Sequence, residues 1–159
     1  MNSYRISKYD PDKRADPGYL ESQWTSISDV GDTFDGGVLT MDEYLRVEER
    51  HLSFIREFLS ACKADALKIE ALEDYKGFGW ENGEEIFLDG ILEFSKGALR
   101  EWYWAKLESD MAFIHFGYDY YVYVGTLLDY LTVKEIAVRN KLYCEDIPSP
   151  YVSTGLWYQ

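Results

Sequence analysis

Lysine and arginine are missing from four long stretches of this 159-residue chain. The stretches cover residues 15–45, 77–95, 107–133 and 142–159, and they hold 7, 5, 4 and 2 acidic residues, together 18 of the 29 acids. The formal net charge is -13. Such a charge repels phosphate groups, which argues against nucleic acid and anionic membrane surfaces as partners. It favours a cationic partner, attracted over about a Debye length.

Long apolar runs are also absent. No stretch approaches the roughly 20 apolar residues of a membrane span, and residues 1–9 lack the apolar core of a signal peptide. The two cysteines, Cys62 and Cys144, lie far apart and form no CxxC motif, as expected of free thiols in a reducing compartment. These features predict a cytoplasmic protein. With 47% hydrophobic residues, residues 1–159 are expected to form a single domain with a substantial core.

Signatures of catalysis are lacking as well. The chain has two histidines, and neither lies in the motif of a serine or cysteine hydrolase. His51 falls on the apolar side of a predicted helix and His115 within a predicted strand, so both are interpreted as structural. The sequence therefore predicts a protein that is not an enzyme. An alternative stays open, namely a small cytosolic enzyme in which His115 and Asp119 carry out acid–base chemistry.

Metal and cofactor motifs are missing too. Asp29, Asp32 and Asp35 precede Gly36, but they are three residues apart, whereas an EF-hand loop needs ligands at positions 1, 3 and 5. The chain contains no HExxH, no Cys/His cluster and no GxGxxG. We therefore predict neither a metal site nor a cofactor.

The pattern of elements favours an α+β fold. Apolar residues recur at helical spacing from Tyr44 to Cys62, and Thr40 is a suitable N-cap, which predicts a helix over 41–63. Strands are predicted at 4–7 and 23–27, a hairpin at 111–126, and further helices at 95–107, capped by Ser95, and at 133–139, capped by Thr132. Residues 66–75 fit either a strand or a helix. Without regular βαβ alternation, we expect one compact domain in which an antiparallel sheet packs against two to three helices.

Acidic residues interleaved with aromatic residues and glycine form the remaining constellation. Acids steer an oppositely charged partner, and aromatic rings anchor interfaces. The alternative interpretation is a solvated, solubilising loop. The predicted partner-binding residues are Asp29, Asp32, Asp35, Trp80, Glu81, Glu84, Glu85 and Asp89.

Several segments resemble those of small acidic immunity proteins encoded beside bacterial polymorphic toxins, of the contact-dependent inhibition and Rhs kinds. The segments are YRISKYDP (4–11), QWTSISDVG (23–31), LTMDEYL (39–45), LREWYWAKLE (99–108) and HFGYDYYVYVG (115–125).

This resemblance implies a cytoplasmic protein that binds and neutralises a cognate toxin, often a basic nuclease domain. Immunity families share a scaffold more than an interface, so the resemblance transfers no binding residue. An acidic adaptor for some other basic protein is the third possibility.

Overall fold

A computed structural model of the chain describes residues 1–152. It has the expected α+β fold, in which three helices pack on a seven-stranded antiparallel sheet and a separate two-stranded ribbon precedes the first helix. The strands are β1 (Asn2–Ser7), β2 (Thr33–Phe34), β3 (Gly37–Val38), β4 (Ala66–Glu73), β5 (Glu85–Phe87), β6 (Trp104–Glu108), β7 (Ala112–Phe116), β8 (Val122–Thr126) and β9 (Tyr143–Glu145). The helices are α1 (Met41–Cys62), α2 (Leu88–Leu99) and α3 (Tyr130–Arg139).

The large sheet has the strand order β5-β4-β6-β7-β8-β1-β9. Alternation along each strand sends one set of side chains into the core that the helices cover. These residues include Ile6, Ile69, Leu107, Ile114 and Val124, all of which are fully buried. The N-terminal strand thus lies between β8 and β9, next to the last strand of the described residues.

The first helix confirms the strongest sequence prediction. The Thr40 hydroxyl accepts a hydrogen bond from the Glu43 N–H at 3.1 Å, so the predicted N-cap holds one of the free amides of the first turn. The predicted core face is buried, namely Tyr44, Val47, Phe54, Ile55 and Phe58. His51 is buried on the same face.

The second helix was predicted wrongly. It covers Leu88–Leu99, Ser95 is buried in its interior, and the predicted C-terminal half is strand β6. Its N-cap, Phe87, makes no side-chain cap hydrogen bond, so the usual start signal is missing. In β6, Ala105 and Leu107 face the core while their neighbours face outward, a period of two that the helical prediction overlooked.

Smaller elements differ in detail. Residues 23–27 form no strand, because the chain there passes between short 3-10 turns, the second of which covers Ile27–Asp29. In the ambiguous segment 66–75, Ala66–Glu73 form strand β4 and the last two residues begin the following loop. The N-cap of α3 is Asp129, not Thr132, because the Asp129 carboxylate accepts the Thr132 N–H at 2.9 Å. The predicted strand at 4–7 and the predicted hairpin are confirmed as β1 and as β7 with β8.

Across residues 1–152, no helix has both the length and the apolar character needed to cross a membrane.

Candidate functional site

Three loops meet at one end of the large sheet. Because the strands are antiparallel, β4 and β7 finish at the same end at which β6 and β8 begin. The connecting loops 74–84, 100–103 and 117–121 therefore lie side by side and enclose a cleft of about 580 Å³. We call this the aromatic cleft; it is lined by Glu73, Tyr75, Lys76, Ala98, Glu101, Trp102, Tyr103, Trp104, Phe116, Gly117, Tyr118 and Tyr151.

Loop 74–84 is ordered by its own first residue. The Asp74 carboxylate accepts hydrogen bonds from the N–H groups of Gly77 and Phe78 at 2.9 and 2.8 Å. Gly77 has a φ of 71°, a left-handed conformation that glycine adopts without steric cost. This turn places the Phe78 ring parallel to the Trp102 ring, with centroids 5.2 Å apart. One wall of the cleft is thus set by a local turn.

A buried ion pair supports the neighbouring wall. The Arg100 guanidinium donates two hydrogen bonds to the Glu48 carboxylate, at 2.7 and 2.8 Å, and Glu48 is only 2% exposed. The Tyr44 hydroxyl donates to the same carboxylate at 2.8 Å. Arg100 also lies 5.4 Å from the Trp102 ring centroid, within cation–π range. The network joins α1 to the end of α2 and fixes the position of Trp102.

Loop 117–121 forms the third wall. Tyr118 is 80% exposed and lines the cleft, whereas Tyr120 is buried and its hydroxyl donates to the Tyr44 hydroxyl at 3.1 Å. The loop is anchored through Asp119, whose backbone carbonyl accepts the Tyr9 hydroxyl at 2.6 Å. Buried aromatic contacts thus hold one tyrosine of this loop out in solvent.

Left-handed backbone conformations concentrate around the cleft. Among residues 1–152, six residues other than glycine have positive φ. Four of them lie in or beside the segments that border the cleft, namely Ala71, Asp119, Tyr120 and Glu101, of which Glu101 lines it. Ala71 lies at the irregularity of β4 just before Glu73. Each such conformation costs on the order of 1–3 kcal/mol, and such residues cluster at functional sites. The strain therefore points to the same place as the exposed rings.

The predicted residues of the first acidic patch lie on the segment between β1 and α1. The Asp29 carboxylate is engaged within the chain, because it accepts the Thr25 and Ser26 N–H groups at 2.8 and 3.3 Å. Asp32 and Asp35 are exposed around the β2–β3 ribbon. This segment packs against the cleft's third wall, since Trp24 contacts Tyr120 with ring centroids 5.2 Å apart.

The second predicted patch is divided. Trp80, on loop 74–84, is partly buried and lies edge-on against Phe94, so it anchors the loop to the core. Glu84 accepts the Glu81 N–H at 3.1 Å, and Glu81 is exposed on the same loop. Glu85 and Asp89 are exposed in β5 and in the first turn of α2, with Glu85 opposite Lys68 on β4. None of these predicted residues lines the cleft.

His115 and Asp119 are not brought into hydrogen-bond contact in the described part of the chain. His115 faces away from the helices, where Nδ1 is 2.7 Å from the Ser149 hydroxyl and Nε2 is 2.9 Å from a Glu108 carboxylate oxygen. The order Ser–His–Glu is that of a hydrolytic triad. Ser149, however, is 7% exposed, His115 is 1% exposed, and neither lines the cleft, so the arrangement fastens the segment after β9 to the sheet.

Sequence reasoning missed the residues that define the cleft. Tyr75 was placed in the segment that fitted either a strand or a helix, Trp102 and Trp104 in a helix, and Tyr118 in the hairpin. The contacts that bring these residues together join segments far apart in the chain. One local signal was present: three consecutive aromatic residues at 102–104 suit a strand entry better than a helix. No group of three or more potential metal ligands occurs in residues 1–152.

Comparison with protein-family models, with curated proteins and with solved structures found no match to this chain.

Proposed function

We propose that this protein is an inhibitor that binds a basic protein domain through the cleft end, in the manner of an immunity protein that neutralises a cognate toxin. The observation that carries the proposal is the meeting of exposed aromatic rings, unpaired carboxylates and left-handed backbone at one end of the sheet. Aromatic side chains at the centre and charged groups at the rim are the usual anatomy of a protein interface.

The charge of this end supports a cationic partner. Asp32, Asp35 and Glu81 are exposed there, and none of their carboxylates takes part in an ion pair within residues 1–152. Two of the nearby cations are paired within the chain. Arg100 is bound to Glu48, and Arg14 donates to Glu145 at 2.9 Å. Each of these pairs also neutralises a glutamate, so the charge that a partner meets at this end comes from the unpaired groups, namely the exposed acids and one exposed base, Lys76.

Lys8 contributes less than a full positive charge to this end. Its ammonium group lies 4.0 Å from the Trp24 ring centroid, and burial lowers the pKa of Lys8 to about 7. At neutral pH, a substantial fraction of this lysine is uncharged.

A nuclease toxin is a suitable class of partner on physical grounds. An enzyme that binds nucleic acid presents a cationic surface to the phosphates. An acidic protein can cover that surface by matching its charge, which requires no chemistry of its own. The same surface would also serve an acidic adaptor, and the two functions differ only in whether the partner's activity is lost.

The test uses the polypeptide encoded by the gene adjacent to this one. Co-expressed with this chain, its C-terminal domain should co-purify as a stoichiometric complex, and its growth inhibition and its nuclease activity should be suppressed. The cleft variant, Trp102→Ala with Glu101→Gln, should no longer suppress the growth inhibition. The matched control, Asp65→Asn with Asp110→Asn at the opposite end of the sheet, should still suppress it. A complex that forms without loss of activity would favour the adaptor. Absence of any complex would contradict the proposal.

The enzyme alternative has its own test. Purified protein and a His115→Ala variant are compared on a broad panel of ester, amide, phosphate and glycoside substrates. Turnover that is abolished by the substitution would favour catalysis.

A further inference from the structure

The aromatic cleft has flat walls that are already held in place. The Trp104 indole N–H donates to the Phe116 carbonyl at 2.7 Å, and the Tyr151 ring lies edge-on to Trp104 at 5.3 Å. Trp102 is held by contacts with Phe78 and with Arg100, and its side chain remains 37% exposed. A group that enters the cleft therefore meets rings whose positions need little ordering, which lowers the entropic cost of binding.

Two further rings stand at the mouth. Tyr75 is 90% exposed and Tyr118 is 80% exposed, and both line the cleft. Two large aromatic side chains that are this exposed, on adjacent loops, form an exposed patch of the kind that marks an interaction site. The volume of about 580 Å³ also lies within the roughly 300–1,000 Å³ range of ligand pockets.

The carboxylates of the cleft are free. Glu73 and Glu101 line it, and neither side chain makes a hydrogen bond or ion pair with another part of residues 1–152. Lys76 is the one base among the lining residues. The walls thus combine the negative faces of aromatic rings with two acids, which favours a cation over an anion or a neutral group.

Glu101 occupies a position that local physics disfavours. It follows the C-cap of α2 with a φ of 62°, where glycine is the favoured residue. It is also an acid at the C-terminus of a helix, where the helix dipole favours cations. The corresponding residue after α3 is Lys141, with a φ of 57°, whose charge does suit the dipole. The carboxylate of Glu101 is therefore costly where it lies, which indicates a use outside the fold.

We propose that the aromatic cleft binds the guanidinium group of an arginine side chain, presented on a basic segment of the partner protein. Arginine fits better than lysine because its flat, weakly hydrated head stacks on aromatic faces and donates two parallel hydrogen bonds to a carboxylate. This inference rests on the proposed function and adds the specificity contact to it.

The test needs no partner protein. The probe is the blocked tripeptide Gly-Arg-Gly, titrated into the protein while the indole N–H signals of Trp102 and Trp104 are followed by NMR. The comparison peptides replace arginine by citrulline, which has the same shape without the charge, and by lysine. We expect saturable shifts with the arginine peptide, binding at least tenfold weaker with citrulline, and lysine between the two.

Two cleft variants and one control locate the site. Glu101→Gln and Trp102→Ala should each weaken arginine binding several-fold, whereas Asp110→Asn, which changes an exposed acid at the opposite end of the sheet, should leave it unchanged. Glu101→Gln alters an exposed side chain, so it stays informative if Trp102→Ala impairs folding. Equal binding of citrulline and arginine, or no indole shift with any peptide, would overturn the inference.

This outcome is separable from that of the proposed function. If the arginine peptide fails but the adjacent-gene product still forms an inhibited complex, the inhibitor proposal stands and the cleft is not its arginine site. If the peptide binds but no complex forms, the cleft is a cation site and the inhibitor proposal fails.

Discussion

His51 illustrates how burial converts one titratable side chain into a source of pH dependence. Its Nδ1 lies 2.9 Å from the Val47 carbonyl, which can only accept, so Nδ1 carries the proton and donates. Its Nε2 has no hydrogen-bond partner, and the ring lies edge-on to Tyr120 at 4.9 Å. Burial, with a smaller contribution from nearby Lys8 and Arg50, lowers the pKa of His51 to about 4. The neutral form is therefore the one that the fold accepts.

We predict that stability falls as pH falls from about 6.5 to about 4. In that window the unfolded chain takes up a proton on His51 that the folded protein does not, so the free energy of unfolding drops by about 3 kcal/mol in total. Urea titrations of wild type and His51→Leu at several pH values measure this. The leucine variant should show a shallower pH slope. His115, whose pKa burial also lowers, is retained in both proteins. Parallel slopes for the two proteins would contradict the prediction.

Glu101 allows stability and binding to be separated at one residue. Replacing it by glycine removes a left-handed strain of roughly 1–2 kcal/mol but increases the entropy of the unfolded chain, so we predict a net stabilisation of up to about 1 kcal/mol. The same variant should bind the arginine peptide more weakly. Lys141→Gly is the matched control, because it has the same conformation after a helix yet lies outside the cleft.

Thermal unfolding measures the stability of both glycine variants, and peptide titration measures their affinity for the arginine peptide. Lys141→Gly should gain less stability, because it also removes a cation that the helix dipole favours, and its peptide affinity should be unchanged. A Glu101→Gly variant that binds as tightly as wild type would show that its carboxylate has no role in the cleft.

At the scale of elements, the Glu48–Arg100 pair determines how α1 meets the end of α2. We predict that Arg100→Met lowers the free energy of unfolding by about 3–5 kcal/mol, because it leaves a buried carboxylate without its cation. The double variant Glu48→Gln with Arg100→Met should recover much of that loss, since the glutamine oxygen still accepts the Tyr44 hydroxyl. Chemical denaturation measures all three proteins.

A surface pair provides the control for this experiment. Arg46 and Glu43 form an exposed ion pair within the first turns of α1. Arg46→Met should cost less than about 1 kcal/mol. If Arg100→Met cost no more than Arg46→Met, the buried network would not be holding the helices together.

The elements also show where sequence reasoning succeeds. α1 could be predicted because its apolar face repeats over 22 residues and its N-cap is explicit. The bounds of α2 could not be predicted, because this helix is short, contains Gly90 and Gly97, and begins without a side-chain cap. At Gly97 a Cβ would clash with the Tyr103 hydroxyl, so this glycine allows close packing that no local pattern reveals. Local signals identify elements, and tertiary contacts override them where packing is tight.

The candidate site was predictable only in part for the same reason. The exposed positions of Asp32, Asp35 and Glu81 follow from base-free loops rich in glycine. The sequence does not reveal that Asp29 is engaged in a 3-10 turn or that Glu48 is buried beside Arg100. The cleft depends on four segments brought together by the strand order, and that order is a property of the whole sheet.

At the scale of the whole molecule, the distribution of charge should control how fast a partner arrives. The cleft end carries exposed acids on two separate loops, while several of its cations are paired within the chain. Long-range attraction speeds encounter more than it slows release, and steered association reaches on the order of 10⁸–10⁹ M⁻¹s⁻¹ at low salt, against about 10⁵–10⁶ without steering. Short-range anchors in the cleft should instead set the dissociation rate.

We therefore predict that replacing Glu81, Glu84 and Glu85 by glutamine lowers the association rate constant for the basic partner domain and flattens its salt dependence, with little effect on dissociation. Trp102→Ala should do the reverse. The matched control removes the same charge from Glu49, Glu135 and Asp146, which are exposed and lie on α1, on α3 and after β9, outside loop 74–84 and β5. Its smaller effect on association would show that position matters as well as net charge. Stopped-flow association across a salt series measures these rates. The prediction would be contradicted if the association rate did not depend on salt and the two triple variants had equal effects. Loop 74–84 and β5 would then be only solvated surface, and the partner would bind elsewhere.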